Sequence, residues 1–132
     1  VIIVDATVWV DLLLAQLAPA VEERLLGDLC IAPPHVDFEV GSALLRAERR
    51  EVIPPGAAGR LTDAFTSTPC RREYDATDPV RALRYRDNAT YADAWYLAMA
   101  SRLTCPVLTT DVGMSTAAAA HGIEAIGSGG LS

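Results

Sequence analysis

The chain opens on four β-branched residues, Val1-Ile2-Ile3-Val4, and that run ends on a carboxylate, Asp5. A strand that is apolar at every position must be covered on both faces. That is the signature of a parallel sheet between helices and not of a half-exposed hairpin. Similar short runs recur at Leu29–Ala32, Pro106–Thr109 and Ile123–Ile126, with Cys70–Tyr74 as a short edge strand. Helical patterns fill the intervals: Thr7–Gln16, Pro19–Leu26, Pro34–Glu51, Ala57–Phe65, Asp78–Arg86, Thr90–Leu103 and Val112–His121. Thr77-Asp78-Pro79 reads as a helix start with Asp78 as N-cap. Strands alternating with helices predict a three-layer α/β/α fold around a central, mainly parallel sheet of four to five strands. At 132 residues the chain is expected to form one domain, 1–132, with a flexible tail over 127–132.

In such sheets, ligands bind where strand order reverses, at the carboxyl ends of the strands. Two acids are expected there. Asp5 follows the first strand, and Asp111 follows the Pro106–Thr109 strand. Each has a structural alternative as a helix N-cap. Asp93 stands in Thr90-x-x-Asp93, the pattern of a capping box, yet it opens the most apolar helix of the chain. A carboxylate there lies near the interior and needs a partner. Glu39 lies on the flank of the helix after Pro34, where spacing of about 100° per residue aligns it with Arg46 and Arg50. Phe38 and Leu45 project from the side away from that helix's core stripe and suggest a protein interface.

Clustered carboxylates repel one another, so the arrangement is costly without cations. Oxygen ligands with only two histidines in the chain favour Mg²⁺, or Mn²⁺, over zinc. Composition narrows the field further. All eleven basic residues are arginine, and chemistry that needs a lysine is excluded. The net charge of −6 argues against a surface that coats DNA. Three cysteines without C-x-x-C spacing point to a reducing compartment, and neither a membrane span nor a signal peptide is expected.

Four segments in order, Val4-Asp5-Ala6-Thr7 through Leu13, Glu39-Val40 with Ala43-Leu44, Asn88 to Ala100 around Asp93, and Leu108-Thr109-Thr110-Asp111, resemble the conserved blocks of the PIN-domain family. The likeness is strongest to its VapC-type toxins. Two departures stand out: Tyr91 is separated from Asp93 by Ala92, and Asp111 is followed by Val112-Gly113 where the family commonly has a basic residue. The resemblance implies an acidic quartet of Asp5, Glu39, Asp93 and Asp111, with Thr7 and Thr109 lining the site. It implies a Mg²⁺-dependent endoribonuclease that cuts structured RNA such as tRNA or rRNA. It further implies a bacterial cytoplasmic toxin, a homodimer, and a hetero-oligomer with a cognate VapB-type antitoxin. A PIN nuclease outside toxin–antitoxin systems, or a catalytically dead interaction module, is the alternative. A receiver domain or a haloacid-dehalogenase phosphatase would need a lysine, and the chain has none.

Overall fold

The computed structural model describes residues 1–127; the expected tail lies, from residue 128 onward, outside the described residues. Five strands form one sheet: β1 (Ile2–Val4), β2 (Cys30–Ala32), β3 (Arg71–Arg72), β4 (Val107–Leu108) and β5 (Ala125–Ile126). Their order is β3-β2-β1-β4-β5, and every neighbouring pair is parallel. The β-branched opening run takes the centre, where Ile3 pairs with Ile31 on one side and Val107 on the other. All three residues of β1 and of β2 are buried, as are both of β4, whereas the edge strands β3 and β5 are part-exposed. This distribution is why the central strands are apolar throughout and the edges are not.

Seven helices connect the strands: α1 (Ala6–Leu13), α2 (Pro19–Leu26), α3 (Val36–Arg49), α4 (Ala57–Thr66), α5 (Asp78–Ala82), α6 (Tyr91–Leu103) and α7 (Val112–Ala120). Right-handed crossovers send α1–α4 to one face, because β1 to β2 to β3 steps in one direction. They send α5–α7 to the other, because the chain then returns to β4 and β5. The packing agrees: α1, α3 and α4 contact one another, and α5 lies against α6. On α3 the buried stripe is Val36, Val40 and Leu44. On α6 nearly every residue from Ala94 to Ala100 is buried, as its even hydrophobicity predicts.

The helix after Pro79 differs from expectation. α5 stops at Ala82 and gives way to a 3-10 turn, Leu83–Tyr85. Thr77 takes the N-cap position, and Asp78 is fully buried instead of capping. Its carboxylate receives the Arg102 guanidinium at 2.9 and 3.2 Å and the Asp75 N–H at 3.1 Å. A buried carboxylate needs a cation more than a helix needs a cap, and Arg102 on α6 supplies one.

Candidate active site

Strand order reverses between β1 and β4, and the crevice opens beyond their carboxyl ends. A helix that follows a parallel strand runs back against it, so helices begin at this edge. The four predicted acids all sit at such beginnings. Asp5 is at the N-cap of α1, Asp111 is at the N-cap of α7, and Glu39 and Asp93 are in the first turns of α3 and α6. All four line one cavity of about 220 Å³. The positive ends of four helix dipoles therefore face the cluster and offset part of its repulsion.

Asp5 is the most deeply placed, with 3% of its surface exposed. The Thr109 hydroxyl donates to its Oδ2 at 2.8 Å, and the Thr7 hydroxyl donates to the same oxygen at 2.9 Å. Each hydroxyl is itself oriented by a backbone N–H: Asp111 donates to Thr109 Oγ1 at 3.0 Å and Thr110 to Thr7 Oγ1 at 3.3 Å. Both bonds load one oxygen, and Oδ1 accepts no hydrogen bond among the described residues. The N-cap alternative does not hold for Asp5, whose side chain makes no capping bond. Burial raises its pKa to about 6 from the ordinary 3.8; the two hydroxyls oppose the rise, and the charges of Asp93 and Glu39 add to it.

Asp93 is raised in the same direction, first by burial and then by Glu39 and Asp111. Thr90 caps α6 by accepting from the Asp93 N–H at 3.2 Å. Among the described residues, no bond runs back from the Thr90 N–H to the Asp93 carboxylate, so the capping box is half made. Asp111 does cap: its Oδ1 accepts from the Gly113 N–H at 3.1 Å, and Oδ2 is left over. Glu39 Oε1 accepts the Tyr96 hydroxyl at 2.7 Å and lies 3.4 Å from His35 Nε2. Burial, followed by the Glu39 carboxylate, pushes the Tyr96 hydroxyl well above its usual range, so it stays a donor.

The arginines divide. Arg46 lines the cavity, and its guanidinium donates to Ser42 Oγ at 3.3 Å. Arg50, at the C-cap of α3, does not line it. Tyr91 is half-exposed and donates to the Pro79 carbonyl at 2.9 Å, on the rim and not in the crevice. Three residues of the site escaped the sequence reading. Asp11 lines the cavity and accepts the Thr110 hydroxyl at 2.9 Å; it follows Thr7 by four residues, which puts both on one helix face. Tyr96 follows Asp93 by three, and His35 precedes Glu39 by four, so helical spacing carried a signal for each.

The donor set suits a hard divalent cation. It is all oxygen, and among the described residues none of the four acids is ion-paired with an arginine. The most buried acid also keeps one oxygen open. The carboxylates share the cavity without closing on one point: among the described residues, no three His, Cys, Asp or Glu side chains form a ready-made metal cluster.

A parallel sheet with carboxylates from four helix N-termini gathered at its switch point defines an α/β protein with an acidic, oxygen-donor cavity. The sequence profile of the PIN domain matches residues 2–120. Ribonuclease VapC12 of Mycobacterium tuberculosis is 36% identical over 111 residues, covering 83% of this chain and 86% of the relative. Ribonuclease VapC1 of the same organism is 36% identical over 127 residues, covering 92% and 91%. Among solved structures, VapC20 of M. tuberculosis, described as a sarcin–ricin loop cleaving toxin, superposes with a TM-score of 0.63 at 22% identity, covering 89% of this chain and 95% of that one. FitAcB from Neisseria gonorrhoeae superposes with a TM-score of 0.67 at 15% identity, covering 95% and 96%. The chain belongs to the PIN-domain family.

Proposed function

We propose that this protein is a divalent-metal-dependent endoribonuclease toxin of the VapC kind, hydrolysing phosphodiester bonds in structured RNA such as tRNA or rRNA. The observation that carries the reading is Asp5. It is a nearly buried carboxylate beside three further acids, held by two hydroxyls and, among the described residues, paired with no basic side chain, in a chain whose relatives are named ribonucleases. Asp5, Asp93 and Asp111 are the residues that would hold Mg²⁺ or Mn²⁺, with Glu39 completing the site. Such an ion would neutralise the carboxylates and supply Lewis-acid activation for hydrolysis of the phosphodiester.

The chain's own groups do the rest. Thr7 and Thr109 fix the Asp5 carboxylate in one orientation and leave Oδ1 free. Tyr96 holds Glu39 through Oε1 and leaves Oε2 without a hydrogen-bond partner among the described residues. The amide of Gly113 fixes Asp111 and leaves Oδ2. Arg46, at the cavity wall, binds a phosphate oxygen of the substrate, where a guanidinium fork suits a phosphate. Arg50 stands a turn further along α3 and serves only a more distant phosphate.

A toxin that cuts RNA in its own bacterial cytoplasm has to be held off by a cognate antitoxin, so the restrained form is a toxin–antitoxin hetero-oligomer built on a homodimer. Among the described residues, no helix is long and apolar enough to cross a membrane. The test is incubation of the purified protein with total bacterial RNA. Discrete fragments are expected with Mg²⁺ and none with EDTA or with Asp5→Asn. Equal cleavage in EDTA would reject the metal, and no cleavage under any divalent ion would reject the enzyme in favour of an interaction module.

A further inference from the structure

A carboxylate outside the acidic quartet shares its cavity. Asp11 stands one turn beyond Thr7 on α1, and both line that cavity. Its Oδ2 accepts the Thr110 hydroxyl at 2.9 Å. Among the described residues this is the only hydrogen bond of its side chain, which forms no ion pair. Thr110 is the middle residue of the link 109–111 between β4 and α7, and that link ends on Asp111. The sheet holds only the start of the link. The Asp5 N–H donates to the Leu108 carbonyl at 2.9 Å, and the Thr109 N–H donates to the Ile126 carbonyl at 2.9 Å. From Thr110 onward the backbone has left the ladder, and α1 takes over. The Thr110 N–H donates to Thr7 Oγ1 at 3.3 Å, and the Thr110 hydroxyl reaches Asp11.

We infer that Asp11 is a positioning residue of the proposed metal site, which holds Thr110 and thereby fixes Asp111 against Asp5. The inference rests on the metal-dependent ribonuclease reading and deepens it. Asp5 opens α1 and Asp111 opens α7, so their spacing depends on how firmly the link is clasped to α1. Three hydrogen bonds form the clasp. That of the Thr109 hydroxyl ends on Asp5, one of the two groups to be placed. That of the Thr110 N–H to Thr7 is neutral and the longest. Only the bond to Asp11 is both charge-assisted and anchored outside the quartet. Charge-assisted bonds are about twice as strong as neutral ones. Thr7 and Asp11 lie four residues apart on one helix face, so α1 grips Thr110 by its N–H and its hydroxyl together. The Gly113 amide fixes the Asp111 carboxylate within its own helix, whereas Asp11 fixes where that helix begins relative to Asp5. Hydrogen-bond partners that orient metal-binding groups typically carry about 10–100-fold in metal affinity or activity.

The competing role is direct: as a fifth carboxylate in the cavity, Asp11 would act on the ion or the substrate by its own charge. The two roles part at Thr110. The experiment titrates Mn²⁺ calorimetrically into the parent, Asp11→Ala, Asp11→Asn, Thr110→Val and the double variant Asp11→Ala with Thr110→Val. The temperature is one at which melts in EDTA show every protein folded. Cleavage of total RNA by the parent, and exchange of the Asp111 amide hydrogen in each metal-free protein, are measured alongside. Asp11→Ala and Thr110→Val should each weaken Mn²⁺ binding by about tenfold, and the double variant no further. Asp11→Asn keeps an acceptor for the Thr110 hydroxyl and should recover most of that loss. The Asp111 amide should exchange faster in Asp11→Ala and in Thr110→Val than in the parent. Parental Mn²⁺ affinity in Asp11→Ala overturns the proposal, and leaves the ribonuclease reading intact where the parent cuts RNA. Parental affinity in Thr110→Val, with equal losses in Asp11→Ala and Asp11→Asn, assigns Asp11 a direct role through its charge and also overturns it. A parent that neither binds Mn²⁺ nor cuts RNA overturns both.

Discussion

Asp5 concentrates the physics of the site in one side chain. Its pKa near 6 means that the folded protein holds the proton more tightly than the unfolded chain does. In the absence of metal, the native state is therefore favoured on the acid side, and that advantage is lost as pH rises from about 4 through about 6. A two-unit rise corresponds to roughly 3 kcal/mol. In EDTA the melting temperature should rise as pH is lowered from about 7 to about 5, and Asp5→Asn should flatten that slope and raise the value at neutral pH. The same substitution should abolish the stabilisation gained from added Mg²⁺. A lower melting temperature for Asp5→Asn in EDTA would show that Asp5 serves the fold and not a metal. Tyr96→Phe makes a gentler change, removing one hydroxyl from Glu39. Stability should fall by about 1 kcal/mol in chemical denaturation, and the rate of RNA cleavage should fall by roughly tenfold. Asp5 and Asp111 were legible because each ends a strand run, and Asp93 because it opens an apolar helix; Glu39 stood out only through its place on the flank of α3 and the family resemblance. Asp11, His35 and Tyr96 were not, because each is ordinary in sequence and becomes informative only when helical spacing is measured from a neighbour already chosen.

At the scale of elements, the site is a consequence of helix direction. Four helices start at one edge of the sheet, and each brings an acid in its cap or first turn, where the dipole tolerates negative charge. β5 helps to hold this edge: Gly127 has φ +109°, and a Cβ there would stand 2.7 Å from the Thr109 carbonyl. Gly127→Ala should push the strand end off Thr109 and lower both the melting temperature and the cleavage rate, measured on the same preparation. The alternation of runs and helical spacing showed the parallel sheet in advance, whereas the pairing of β1 with β4 at the switch point came from the fold. The role of Asp78 was hidden, since Asp-Pro after a threonine is a helix start by every local rule. Only the packing of α5 on α6 reveals Arg102 as its partner. Arg102→Met strands a buried carboxylate and should cost about 3 kcal/mol in denaturant unfolding, with RNA cleavage per folded molecule unchanged. A selective loss of cleavage at full stability would place Arg102 on the substrate path.

For the molecule as a whole, the proposed function asks an acidic protein, with a net charge of −6, to bind a polyanion. The arginine row on α3 was visible as spacing, yet the fold separates its members, with Arg46 at the wall of the acidic cavity and Arg50 beyond it. Binding of RNA by an Asp93→Asn protein in Ca²⁺ across a salt series should distinguish them. Arg46→Gln should reduce the slope of log affinity against log salt by about 0.7, and Arg50→Gln should change it less. The exposed Phe38 was also visible, but as a candidate protein contact. The fold adds that Trp95 and Tyr91 stand across a groove from it, a juxtaposition of α3 and α6 that only the three-dimensional fold creates.

The central claim is that carboxylates from four separate helices act as one divalent-metal site. Calorimetric titration of Mn²⁺ into the parent protein and into Asp5→Asn, Glu39→Gln, Asp93→Asn and Asp111→Asn tests it most directly. Saturable binding by the parent is expected, weakened by about tenfold or more in the three aspartate variants and by a smaller factor in Glu39→Gln. Parent-like Mn²⁺ affinity in all four variants would contradict it.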